Sequence, residues 1–374
     1  MRAFTGFLYR VLVKPVLFRF PADRVHEWFL KKGKLLGRYR FSRAIVGCLW
    51  RYQHPMLSQN VFGRSVVTPI GLAAGFDYNA DLVNILPEIG FGFHTVGTLT
   101  YGAYDGNPPP MLARLPKSKA LLVNKGFKNR SITTVLPTLG ARTSGALRGV
   151  SIGATNKPYG SFEVMVEDIV KGFALADDYD TFDYFELNIS CPNLHNIQNL
   201  PTQIASPEGF RMVLDALALL GIERPVCVKL PLERTHEAFR ALVDVAVPYT
   251  FIKGLIISNL AKDRTNKAFD ACEVAQAGVG NFSGKPTEQG ANDLIAYARK
   301  TYNNRFVIVG VGGVFNAQDA YTKIQAGADL VQLITGMVYR GPQLVGEINE
   351  GLVRLLKKNG YTNVAEAVGA ALVE

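Results

Sequence analysis

The stretch "VIVGVGGVFNAQDAYTKIQAGADLVQLITGMVYRGP" (residues 307–342) holds the repeating unit of this chain. An apolar run stops at Gly310-Val311-Gly312-Gly313, a stretch of helical spacing follows, and a second apolar run stops at Thr335-Gly336 before another helix begins. Short apolar runs alternating with helical stretches are the mark of βα units feeding a parallel sheet, whose strands are covered on both faces. Outward from this unit the pattern recurs, with candidate strands at residues 70–74, 94–98, 149–153, 184–189, 226–230, 254–258, 306–311 and 330–334. Eight strands on roughly 250 to 310 residues suit a (β/α)8 TIM barrel. Polar or glycine-rich segments such as "AAGFD", "GATN", "NISCPN" and "SNLAKD" follow the runs at their C-terminal ends, where such barrels keep their active sites. A doubly wound open sheet is the competing architecture, but it calls for five or six strands and a dinucleotide fingerprint after the first, and neither is present.

Three features inside these runs carry chemistry. The glycines after the last two strands let backbone N–H groups approach a ligand at a helix start, which points to a phosphate on a substrate or cofactor, or else to tight turns alone. Lys229 ends the apolar run "VCVKL". A lysine inside a barrel strand is costly without an anionic or electron-rich partner. The N1/O2 edge of a flavin is one such partner; a Schiff-base substrate of an aldolase is the other. Cys191 sits in "FELNISCPNLHN" (residues 185–196) between two asparagines, where a thiol serves as a packed core group, a metal ligand or a catalytic base.

Of the 374 residues 48% are hydrophobic and 19% charged, the balance of an ordered globular protein. The four cysteines, Cys48, Cys191, Cys227 and Cys272, are widely spaced without a CxxC pair, which argues against a disulfide framework and a zinc site and for a reducing compartment. No metal is expected. Cys48, Cys227 and Cys272 read as small buried apolar residues. The net charge of +10 suggests nucleic acid until its distribution is read: residues 1–51 hold twelve Lys or Arg against Asp23 and Glu27, an excess equal to that of the whole chain. The barrel is therefore neutral, and no nucleic-acid partner is expected.

The chain divides accordingly into a basic amphipathic helical segment, residues 1–51, and a barrel, residues 52–374. The first has no apolar run of about 18 residues that would span a bilayer, and no uninterrupted apolar core of a signal peptide. Pro15 and Pro21 should break it into short pieces. Val25, Trp28, Phe29, Leu36 and Tyr39 recur at helical spacing with Lys and Arg between them, as in a helix lying in the plane of a bilayer with its cations on anionic headgroups. The alternative is a helical arm packed on the barrel with a solvated basic face. His26 and His236 read as helix-surface residues, His195 as a solvent-facing loop histidine, and Arg114 as an ion-pair or carbonyl-binding residue.

The stretches "PIGLAAGFD", "GFGFHTVGTLT", "GNPPPMLARL", "FELNISCPN", "VKLP", "ISNLAKDR", "GNFSGKP", "VGVGGVFNAQDAYTKIQAGADLVQLITG" and "YRGP" occur in one order between about residues 55 and 350. In these the chain resembles the dihydroorotate dehydrogenases, FMN-dependent barrels of pyrimidine synthesis. The segment "KPVLFRFPADRVHEWFLKKGKLLGR" resembles the helical extension of the membrane-associated, quinone-linked class 2 enzymes. The resemblance implies FMN as cofactor, dihydroorotate and orotate as substrate and product, and a membrane quinone as electron acceptor. It also implies an anionic membrane surface as partner, with the chain peripheral on the cytoplasmic face of a bacterial inner membrane. A flavin enzyme acting on another cyclic amide or activated alkene is the nearest alternative.

Residue by residue, the resemblance implies that Ala74, Gly75, Tyr78 and Thr98 line the FMN, with Lys229 facing its ring and Ser151, Asn188 and Ser258 near the ring and ribityl chain. Gly284, Gly313, Ile334, Thr335 and Gly336 fall at the ribityl-phosphate end. Asn124, Asn188, Asn193 and Asn259 fall to the substrate's carboxylate and ring amides, a task that suits side chains offering both donor and acceptor. Lys125, Gly126, Phe127 and Leu260 complete the substrate side. Cys191 stands at the base that takes the C5 proton of dihydroorotate while a hydride leaves C6 for the flavin. Class 2 relatives usually have serine there, and they place a lysine where this chain has Tyr78; Lys125 offers a replacement charge from another loop.

Overall fold

The computed structural model describes residues 1–140, 145–197 and 203–372. Its strands are β1 (Gln59–Val61), β2 (Arg64–Val66), β3 (Ile70–Leu72), β4 (Phe93–Leu99), β5 (Leu112–Leu115), β6 (Ala120–Val123) and β7 (Leu147–Ile152). They continue with β8 (Tyr184–Asn188), β9 (Val226–Leu230), β10 (Ile252–Ile257), β11 (Asn281–Gly284), β12 (Val307–Val311) and β13 (Leu330–Leu333). Eight of them close into a parallel barrel in the order β3-β4-β7-β8-β9-β10-β12-β13, returning to β3. Each is one of the expected strands. Ala73, Ala74, Ser258 and Ile334 lie beyond the strand ends, because the backbone there leaves the ladder to shape the mouth.

Alternation along the staves sorts side chains by the period of two. Val150, Ile152, Phe185, Leu187, Val226 and Val228 point out into the main core under the helices. Phe93, Leu147, Tyr184, Cys227, Val309 and Leu330 point in and form a second cluster, the floor of the barrel, together with Val61 and Val66 of the β1–β2 hairpin. Large rings fit there only because the neighbouring staves carry glycine. A Cβ on Gly71 would lie 2.4 Å from the Phe93 ring, and one on Gly149 would lie 2.2 Å from that of Tyr184. Outer helices start at polar caps whose side chains accept from the third residue's N–H: Ser161, Ser206, Thr235 and Asn316.

At the mouth, the antiparallel sheet β5-β6-β11 stands beside the barrel opening. The N-terminal segment folds into a helix over residues 2–17, a helix Ala22–Arg38 and a helix Arg40–Trp50. The first differs from expectation: Pro15 does not break it. The turn before it, Tyr9–Val13, is a π-turn in which Lys14 N–H bonds the Tyr9 carbonyl, and this wider turn accommodates a residue that lacks an N–H. Pro21 does end a piece, as the N-cap of Ala22–Arg38. That helix is laid on the barrel by Gly33, where a Cβ would meet Leu82 at 2.3 Å, and by buried His26 and Leu30.

Three expectations need correction here. His26 is 8% exposed rather than on the surface, because the helix turns it toward the barrel mouth. Cys48 and Cys272 are exposed, lying on outer faces of short helices; Cys227 alone of those three is the buried apolar residue expected. Among the described residues no helix is long and apolar enough to cross a membrane, and no group of His, Cys, Asp or Glu forms a metal site.

Candidate active site

One continuous cavity of about 370 Å³ runs from the barrel mouth out between the N-terminal helices. At the barrel end its wall includes Ala74, Gly75, Thr98, Asn188, Lys229 and Ile334. Over these sit Cys191, Asn193, Asn259 and Leu260, from the loops after β8 and β10. Tyr78, Lys125, Gly126 and Phe127 form the side toward the helices. These expected site residues are thus brought together by staves far apart in sequence.

The other expected residues stand around this wall. Ser151 lies just beneath Thr98, with their hydroxyls 2.9 Å apart. Ser258 is buried, and its hydroxyl has no partner among the described residues. Gly284 meets Thr335, whose hydroxyl bonds that of Ser283 at 2.8 Å. The turn after β13 packs directly on the loop after β12: a Cβ on Gly336 would lie 1.9 Å from the Val314 carbonyl oxygen. Gly313, at φ +74°, makes the turn that brings the loop there.

Asn124 is held from two sides. Its side-chain oxygen accepts from Asn107 Nδ2 at 2.8 Å and pairs with His195 Nε2 at 2.9 Å, so the histidine proton sits on Nε2. With that oxygen occupied, Asn124 offers only N–H donors to a ligand. The solvent-facing reading of His195 therefore misses its task, although the residue is exposed overall. Asn193 is fixed likewise, donating to the Val123 carbonyl and accepting from Asn281 at 2.6 Å.

Burial pushes the Cys191 thiol up to about 11, while the Asn193 backbone N–H and the Lys229 and Lys262 cations pull it down. Lys125 approaches the Tyr78 ring, with its ammonium 4.7 Å from the ring centroid. The cation and the phenol at position 78 thus converge from two loops. Burial lowers Lys125 to about 8. Its Nζ donates to His26 Nδ1 at 3.2 Å, and His26 Nε2 donates to the Phe76 carbonyl at 2.8 Å, which fixes the neutral tautomer. Burial, with Lys125 nearby, holds His26 down at about 3. Tyr78 is hydrogen-bonded to Glu27, which also pairs with Lys128 at 3.2 Å.

Farther out the cavity passes Tyr9, Phe18, Val25, Phe29, Leu36 and Arg114. Arg114 donates to the Phe20 carbonyl at 2.8 Å, the carbonyl-binding role expected of it, and its guanidinium lies over the Phe18 ring at 4.6 Å. The individual roles of Tyr9 and His26 were not legible in sequence, because each depends on which face of a helix meets the mouth.

The residues fit a flavin mononucleotide. A buried lysine and an unpartnered buried hydroxyl offer polar partners to a ring edge, and the glycine turns after the last two strands stand where such barrels hold a phosphate on backbone N–H groups. The fold and site define a flavin-dependent (β/α)8-barrel oxidoreductase. Residues 56–356 match the family described as dihydroorotate dehydrogenase. The chain is 33% identical over 371 residues to a dihydroorotate dehydrogenase (quinone) of Nocardia farcinica, covering 97% of each. It is 35% identical to the enzyme so named of Roseiflexus sp., covering 96% of this chain and 97% of that one. Among solved structures, dihydroorotate dehydrogenase of Eimeria tenella in complex with ferulenol superposes with a TM-score of 0.81 at 26% identity, covering 95% of this chain and 98% of that chain. The chain belongs to the dihydroorotate dehydrogenase family. Membership decides against the Schiff-base reading of Lys229.

Proposed function

We propose that this protein oxidises (S)-dihydroorotate to orotate on bound FMN and passes the electrons to a quinone, as a step of pyrimidine synthesis. The observation that carries this reading is the continuity of the cavity, which joins Cys191 and Lys229 at the barrel mouth to an apolar passage between the N-terminal helices. FMN, when bound, supplies the redox chemistry, taking two electrons from the substrate and yielding them to the acceptor. The chain's own residues do the rest. Cys191 takes the C5 proton, and the loop that carries it covers the substrate and excludes water. Asn124, Asn188, Asn193 and Asn259 hold the carboxylate and ring amides, and Lys125 supplies a cation on the same side. Ala74, Gly75, Tyr78, Thr98, Ser151, Ser258 and Ile334 position the flavin, with its phosphate at Gly284, Gly313, Thr335 and Gly336.

The same reading has residues 1–51 as the unit that docks on a membrane and admits the quinone. Phe4, Phe7, Leu12 and Phe41 are 54% to 78% exposed on it, in the segment that carries the chain's whole excess of Lys and Arg. The chain would then sit peripherally on an anionic bilayer, at the cytoplasmic face of a bacterial inner membrane. Two experiments test the proposal. Anaerobic dihydroorotate should bleach the flavin and a quinone should restore it; absence of bleaching refutes the substrate. Phe4→Asp with Phe7→Asp should abolish co-sedimentation with anionic vesicles while leaving bleaching intact; undiminished sedimentation refutes the docking face.

A further inference from the structure

Beneath Lys229 the barrel holds a carboxylate to which the reaction above gives no task. Glu186 points inward from β8, fully buried at 0% side-chain exposure, with one oxygen 3.8 Å from Lys229 Nζ. That oxygen accepts from Ser151 Oγ at 2.7 Å, and the other has no partner among the described residues. An incompletely satisfied carboxylate inside a barrel is costly, and an apolar side chain of similar size would pack there at less cost. Its surroundings are nevertheless organised around it. Asn188 Nδ2 donates to Thr98 Oγ1 at 3.0 Å, the Thr98 and Ser151 hydroxyls are 2.9 Å apart, and Ser151 gives its proton to Glu186. Since Ser151 has spent its proton, Thr98 donates to Ser151. Every donor in the row therefore points down to the carboxylate, and the row begins at a side chain in the cavity wall.

We propose that Glu186 is a positioning residue that sets the reduction potential of the bound flavin through Lys229. The inference rests on the flavin reading above. Lys229 lies in the cavity wall, and a flavin at this mouth gains negative charge when it is reduced. A lone buried cation beside it would hold the electrons strongly. The anion 3.8 Å from that cation draws the ammonium down toward itself and so weakens its pull on the reduced ring, and the flavin releases electrons to an acceptor more readily. The row of hydroxyls holds the carboxylate in place.

The test is an anaerobic spectroelectrochemical titration of the FMN-loaded protein. Glu186→Gln removes the charge and keeps the shape. It should raise the ratio of reduced to oxidised flavin at a given potential at least tenfold, a positive shift of about 30 mV for two electrons. Glu186→Leu, which replaces the buried ion by an apolar group, should move the potential in the same direction and serves where the amide does not fold. In a Lys229→Met background the Glu186→Gln shift should fall to less than half. An unchanged or more negative potential in flavin-loaded Glu186→Gln and Glu186→Leu overturns the inference alone, as does a full shift in the Lys229→Met background. A wild-type protein that does not retain FMN overturns the flavin reading with it.

Discussion

Replacing Cys191 by alanine tests the reaction at its base. The thiol is pushed up to about 11, chiefly by burial. At pH 7 the free site therefore holds thiolate in a fraction on the order of one in ten thousand, rising tenfold for each pH unit. Deprotonation is required before the sulfur can accept the substrate proton, so activity rises with pH. The second-order rate constant of anaerobic flavin bleaching at limiting dihydroorotate, which reports the free site, should climb with a logarithmic slope near one between about pH 6 and 9. Removing a positioned general base typically loses about 10²- to 10⁴-fold, or about 3–5 kcal/mol of barrier. Cys191→Ala should fall in that range and lose the slope. Orotate affinity, read from the perturbed flavin spectrum, should change little, because the asparagines are held by partners other than the sulfur. A wild-type rate flat across this range, or an alanine variant within threefold of wild type, refutes the assignment.

Other outcomes follow from the same geometry. His195→Ala should weaken orotate binding and raise KM about tenfold, with kcat reduced less, because Asn124 loses one of the two donors that orient its amide; His195→Gln should recover part of the loss, and equal loss in both variants refutes the orienting role. Lys125 is lowered to about 8, so between about pH 8 and 10 the unfolded chain binds more protons than the folded one at this residue and its contribution to stability rises with pH. Denaturant midpoints should show a smaller rise over that window in Lys125→Met than in wild type; identical pH dependence refutes the assignment. Gly149→Ala forces a methyl to within 2.2 Å of the Tyr184 ring in the barrel floor and should cost about 1–3 kcal/mol in chemical unfolding; a neutral substitution would show that the floor yields.

Much of the architecture was written in local pattern. All eight staves follow apolar runs that end in glycine or polar residues, and a run buried on both faces leaves little freedom in which way it is used. The basic segment declared itself by charge alone. The path of its first helix did not, since Pro15 predicts a break and the π-turn before it depends on how Tyr9 reaches the Val338 carbonyl at 2.7 Å. Pro21, with no helix to extend, broke the chain as local rules require.

The site divides along the same line. Cys191 and Lys229 could be singled out from sequence because each is an unusual residue at the end of a stave, where a side chain must face the mouth; the asparagines were implied only by the family resemblance. Glu186 is equally anomalous within "FELN", but its meaning lies in Lys229 on the neighbouring stave, with which it shares no sequence signal. His26 needed the rotation of a helix about its axis, and His195 needed a loop to fold back on Asn124. Sequence by itself determined which residues must be inside and at which end of a strand they emerge, since those follow from the periods of two and 3.6. Only the tertiary structure decided which of them touch, because side chains far apart in the chain meet through barrel closure and helix packing, where a rotation of one residue changes every partner.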